Sequence, residues 1–313
     1  MRLRKYIPHA MLLGAAAIWG FAFVAQDAVE GLGANTVVAA RSWIAAVFLA
    51  AVVAVFDKLR GSGRRLISRR GIDLSRDELI GGALCGVILA AASVFQQLGI
   101  QSGTDGGKAA FITSLYVILV PVYALAMRKR AAVNVWVSVA IAAVGFYLLC
   151  IKESVGIAPS DAYVVIGALI FPLHILMIDR YSPRCDGIRM SLVQFITCGA
   201  VETVIALITE SPIELSALGA NILPILFLGI GSSGIAYTLQ ILGQNGPDPS
   251  AAAIIMSLES VFGVIGTALV LDARLTPREY IGCAVVLVAV VLSEIDFPSL
   301  TGRARERRKG KES

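Results

Sequence analysis

Apolar residues in this chain gather into long runs, each about as long as a membrane-crossing helix and each closed by a short polar turn. A helix rises about 1.5 Å per residue, so some 18 or more apolar residues can cross a hydrocarbon layer of about 30 Å. The pattern predicts ten such spans. The first runs from Pro8 to Val29, the second from Thr36 to Phe56 and the third from Leu79 to Gly99. A turn at 101–107 opens the fourth, which ends at Met127; the fifth is Val133 to Ile151 and the sixth Ala162 to Ile178. The seventh covers Met190 to Thr209, the eighth Ile222 to Gly243, the ninth ends at Leu271 after a turn at 244–249, and the tenth is Tyr280 to Ile295.

The polar stretches orient these spans. The only long one, Asp57 to Glu78, carries seven basic residues. With the N-terminus inside, 22 Lys and Arg fall on the cytoplasmic side and four (Lys108, Lys152, Arg274, Arg278) outside, while Arg41 lies within the second span. That bias is the one cytoplasmic loops carry, and it predicts an inner-membrane protein with both termini cytoplasmic. The first run is expected to be a span rather than a cleaved signal, because no clean small-x-small site follows it. A basic tail, 297–313, has no apolar periodicity and is expected to be disordered.

Composition agrees with this pattern. Of 313 residues 57% are hydrophobic and 16% charged, and the mean hydropathy is +0.78, more apolar surface than a soluble interior of this size can hold. The fold class is therefore an all-α membrane protein. Five cysteines lie scattered without a CxxC spacing, as buried small hydrophobes do. The net charge of +5 sits in loops and tail, not in a nucleic-acid-binding face. The string Gly229-Ile-Gly-Ser-Ser-Gly234 matches a dinucleotide fingerprint but lies inside an apolar span without a strand before it, so that reading fails.

One stretch is written twice. Shifted by 143 residues, 97–127 lies without a gap on 240–270, and nine of nineteen positions from Gln97 to Leu115 are identical. The first and sixth spans echo each other at a shift near 153. The chain thus divides into a first five-span repeat, 8–151, and a second, 160–296. Five is odd, so the two repeats are expected to cross the bilayer in opposite senses. Inverted repeats of this kind are the mark of many secondary transporters, whose site lies at the repeat interface near mid-membrane.

The order and spacing of several short motifs resemble the drug/metabolite transporter superfamily, in its ten-span EamA-domain type. They are Ile18-Trp19-Gly20, Arg41, Gly107 to Tyr116 with Pro121, Ala236-Tyr237-x-x-Gln240, Ser257-Leu-Glu259 and Leu275-Thr-Pro-x-x-Tyr-Ile-Gly282. Ser260 stands where that family often has Pro, and Asp272 where Glu usually ends the ninth span. The resemblance implies a cavity lined by spans one, three, four, six, eight and nine. It also implies a small metabolite as cargo, with amino acids and related amines as the leading class and export as the commoner direction.

Within the spans, Glu259 is the most informative residue. It lies roughly 12 Å into the ninth span, where a charge costs about 2.5–3.5 kcal/mol on insertion scales, so it is expected to face a cavity or a partner. It either binds a cationic group of the substrate or takes up a proton that couples transport; the plainer alternative is a structural Glu bonded to neighbouring helices. Its repeat equivalent is Tyr116. Gln97 and Gln240 form a second equivalent pair, either polar steps on two access paths or interhelical hydrogen-bond partners. Gln96, Gln26, Tyr237, Trp19 and His174 complete the candidates. Glu202 sits deep in the seventh span, outside the implied cavity. Arg41 and Asp27 are expected to pair as a salt bridge, and the small residues of spans eight and nine to let those two helices approach each other. The expected partners are a small solute, protons and membrane lipid, with no nucleic acid. No cofactor or metal site is expected, nor an enzyme: the chain has two histidines, His9 and a lone His174. The alternative class is a channel or facilitator, although no carbonyl-filter motif is present.

Overall fold

The computed structural model describes residues 6–60, 67–68, 71–72, 74–128, 132–150, 158–213, 215–270 and 275–293. The basic tail and several polar turns lie outside them. Among the described residues the fold is helical apart from one two-residue antiparallel pair, Ile67–Ser68 with Gly71–Ile72, inside the basic linker.

Helices α1 (Ile7–Asp27), α2 (Ala34–Arg60) and α3 (Arg76–Gln101) cover the first three predicted spans. The linker after span two is shorter than its charge suggested. Helix α2 continues through Asp57 and Lys58, and α3 starts early because Ser75 and Glu78 form a capping box. Span four is two helices, α4 (Gly106–Ser114) and α5 (Tyr116–Ala126), followed by α6 (Val133–Cys150), α7 (Asp161–Tyr181) and α8 (Gly187–Thr209). After the short α9 (Leu215–Ala220), span eight is α10 (Ile222–Leu226), a π-helical segment from Phe227 to Ala236, and α11 (Tyr237–Gly243). Span nine is again divided, into α12 (Pro249–Met256) and α13 (Glu259–Val270), and α14 (Pro277–Ser293) comes last. Eight of these stretches are long and apolar enough to cross a membrane; α6, with Val133–Leu149 as its apolar part, is shorter, and α14 has 17 residues.

The duplicated stretch folds the same way twice. Asp105 caps α4 by accepting from the backbone N–H of Gly107 and Lys108 at 3.0 and 3.2 Å. Its equivalent, Asp248, caps α12 through Ser250 N–H at 2.9 Å. Each capped helix then breaks at the same register, at Leu115 in one copy and at Ser257–Leu258 in the other. Tyr116 and Glu259 are therefore each the first residue after a break. The Ser114 and Ser260 hydroxyls bond to each other, which fastens one copy to the other at that level.

Long helices pair antiparallel, tied at both ends. At one end of the α2–α8 pair, Glu210 accepts from Asn35 and Thr36, backbone and side chain, at 2.7–2.8 Å. At the other, Arg189 pairs with Asp57 at 2.6 Å. Helix α3 meets α7 the same way, with Thr104 bonded to Asp161 at one end and Gly81 against Tyr181 at the other. Asn134 of α6 donates to the carbonyl of Ser293 at the far end of α14 at 2.9 Å. Glycines permit the closest approaches: a Cβ on Gly20 would overlap Phe262 of α13, and one on Gly229 would overlap Ile44 of α2. Gly229 and Gly234 of span eight thus seat against α2 and Gly263 of span nine against α1, not against each other as expected. Apolar side chains such as Val47, Val87, Leu223 and Val291 face outward over the bundle surface, where lipid rather than water suits them. The chain is a multi-pass membrane protein.

Candidate functional site

Between the helices lies a cavity holding about 510 Å³ of empty space, part of it open to the outside. Its aromatic wall is Trp19, Phe23, Phe171 and Tyr237, with Tyr116 deeper. The ring of Tyr237 is the hub of that wall. Trp19 meets it edge-on at 4.8 Å, His174 at 5.6 Å and Phe195 at 5.7 Å. Polar groups converge on the same space: Gln26, Arg41, Gln96, Thr113, His174, Ser232, Gln240 and Glu259.

The two divided helices place the deepest of these. A helix interrupted in mid-span carries its next side chain past the break into space that a continuous helix would fill with its own packing. Tyr116 and Glu259 arrive in this way and lie close to each other. Thr113 and Met256, also equivalent at a shift of 143, line the same cavity. The hydroxyl of Tyr116 lies beside the carboxyl of Glu259, and Oε1 of Gln240 is buried without a hydrogen-bond partner among the described residues. Gln96 donates to Thr113 at 2.9 Å, and Nε2 of His174 lies 3.0 Å from Oε1 of Gln194.

The π-helical segment positions the other side. Its wider turn sets Ser232 and Ser233 toward α2 and leaves the carbonyl of Ser232 free to accept from Trp19 Nε1 at 3.3 Å. Arg41 donates to Ser233 through Nε at 2.9 Å, to Ser232 through Nη2 at 3.0 Å and to Gln26 through Nη1 at 3.2 Å. It makes no salt bridge with Asp27; the cation is buried, it faces the cavity, and its hydrogen bonds go to neutral groups. Sequence reasoning assigned Arg41 to a salt bridge with Asp27, and its actual serine partners lie about 190 positions away. A charged residue within an apolar run was the available signal, the same one that singled out Glu259.

Of the nine candidates, Gln97 alone is not in the lining. It is fully buried, and neither end of its amide has a partner among the described residues. Glu202 also lies elsewhere, buried in α8, and neither carboxylate oxygen has a partner among the described residues. Ser232, Thr113, Phe171, Ile175 and Met256 enter the lining without having been singled out. Among the described residues no group of His, Cys, Asp and Glu is arranged to hold a metal ion.

Comparison with known proteins adds the family. The model described as the EamA-like transporter family matches residues 7–151 and 158–294. An uncharacterized transporter of Archaeoglobus fulgidus is 29% identical over 282 residues, 88% of this chain and 82% of that protein. A chain from a solved structure, titled only as the crystal structure of a protein, is 15% identical and superposes with a TM-score of 0.72 over 92% of this chain and 96% of its own. At that identity the likeness speaks to the fold alone.

Proposed function

The chain belongs to the EamA-like transporter family and is a membrane transporter, and from that premise we propose that it exports small metabolites, amino acids or related amines, by alternating access. One observation carries the reading: residues at equivalent positions of the two copies, Tyr116 with Glu259 and Thr113 with Met256, line one cavity. Two halves related by a pseudo-twofold axis would bring such pairs together at mid-membrane.

Exchange of the halves also accounts for the helix pairing. It maps α2 onto α8 and α6 onto α14, each of which packs on its own equivalent, and it maps the α3–α7 contact onto that of α11 with α1. The clamps obey it as well: Asp57 and Glu210 stand 153 apart, as do Thr36 and Arg189. For this to hold, α6 and α14 are spans five and ten, both termini lie in the cytoplasm of the inner membrane, and the repeats run oppositely. The cavity then reaches toward the outer face, where α1 ends and α2 begins. Gln240 lines its inner part, while the equivalent Gln97 is sealed. In the alternate state Gln97 would line an inward cavity and Gln240 would be closed off.

Glu259 is the proposed coupling residue. Its carboxylate takes the cationic group of the substrate, or the proton that replaces it, so that an empty return never carries a bare charge through the apolar core. Counterflow in proteoliposomes tests this. Solute exchange that Glu259→Gln abolishes or uncouples, in a protein that still inserts, supports the reading; ion conductance without counterflow would make the protein a channel.

A further inference from the structure

Arg41 and Glu259 border one cavity, are of opposite charge when both are ionised, and are not paired with each other. Each is almost wholly buried, with 6% and 5% of its surface exposed. A guanidinium carries five N–H donors. Ser233, Ser232 and Gln26 take three, and one donor on each terminal nitrogen has no partner among the described residues. A planar guanidinium with a spare donor on each terminal nitrogen suits a carboxylate or another oxyanion. No described carboxylate neutralises this cation. A buried cation without a counter-ion is costly, and an entering anion would relieve that cost.

The opposite pole is built in the same incomplete way. The tyrosine hydroxyl beside Glu259 can donate to its carboxylate but cannot neutralise it, and no described cation pairs with it. Tyr237 lies within electrostatic reach of both residues, and all three line the same cavity. We infer that Arg41 is a substrate-binding residue that takes the anionic group of a molecule whose cationic group is taken by Glu259. The substrate is therefore a zwitterion carrying both charges, and neither a simple amine nor a simple acid satisfies the site. The inference rests on the transport reading above and narrows it.

Carbon-matched probes test it on the intact protein. Leucine, phenylalanine and 5-aminopentanoate are each compared with the amine left by decarboxylation and the acid left by deamination, as competitors of counterflow and as thermal stabilisers. In at least one series the zwitterion should bind about tenfold or more tightly than either partner, the worth of one charged hydrogen-bonded contact. Arg41→Gln should bring the zwitterion down to its amine while leaving that amine within about twofold, and Glu259→Gln should bring it down to its acid. Arg41→Lys, which keeps the charge without the fork, should retain part of the preference. Amines equal to zwitterions in every series on the unaltered protein would overturn the inference and leave the transport reading standing, as would an Arg41→Gln variant that keeps the preference. Exchange of none of the nine compounds would overturn both.

Discussion

Glu259 and Glu202 look alike in the sequence, two carboxylates deep in apolar runs, and only their surroundings separate them. Glu259 follows a helix break and borders a cavity; Glu202 lies in an unbroken helix, with no partner for either oxygen among the described residues. A buried carboxylate without partners destabilises the fold, and removing its charge relieves that cost. Glu202→Met is therefore expected to raise the thermal stability of the purified protein while leaving counterflow within about twofold. Glu259→Gln is expected to lose exchange without losing insertion or monodispersity. What the sequence made legible at this scale was which residues are expensive, because charge in an apolar run is visible in one dimension. Their company was not legible. Two of the three partners of Arg41, Ser232 and Ser233, come from a π-helical segment whose register no periodicity announced, and the sealing of Gln97 depends on packing around it.

At the level of elements, the duplicated Asp residues were visible as identities and their task was inferable only as a turn. The structure makes them N-caps of the half-helices that lead to Tyr116 and Glu259. Replacing either Asp105 or Asp248 by Ala should cost about 1 kcal/mol of stability and should reduce transport more than binding, since it loosens the half-helix ahead of the site. The clamp between α8 and α2 predicts a pH dependence. Burial alone would raise the pKa of Glu210, but hydrogen bonds from Thr36 and Asn35 outweigh it and hold the carboxyl below its usual value of 4.5. A depressed folded pKa means that the clamp's contribution is complete above that value and is lost as pH falls through the lower one. Melting temperatures measured between pH 6 and pH 3 should therefore fall less steeply for Glu210→Gln than for the unaltered protein. The helix breaks themselves were not foreseen, since each apolar run reads through them without a Gly or Pro at the break.

For the molecule as a whole, the multi-pass helical class was legible in the sequence, and the duplicated stretch folds the same way twice; the count of ten spans and the opposite orientation belong to the proposal. A shift of 143 along the chain is a one-dimensional signal, and so are runs of about 20 apolar residues. How the repeats interleave is a three-dimensional property, because α2 of the first half packs on α8 of the second rather than within its own unit. That interleaving is what the proposed opposite orientation would require, and under that proposal Gln97 and Gln240 are the two ends of one mechanism. The decisive measurement places a single cysteine at either position in an otherwise cysteine-free chain and labels it with a membrane-impermeant thiol reagent from each face. Oppositely oriented halves require Gln240→Cys to react from the outer face and Gln97→Cys from the cytoplasmic face, with conditions that favour one suppressing the other. If both positions react from the same face, or rise and fall together, the halves do not exchange places across the membrane.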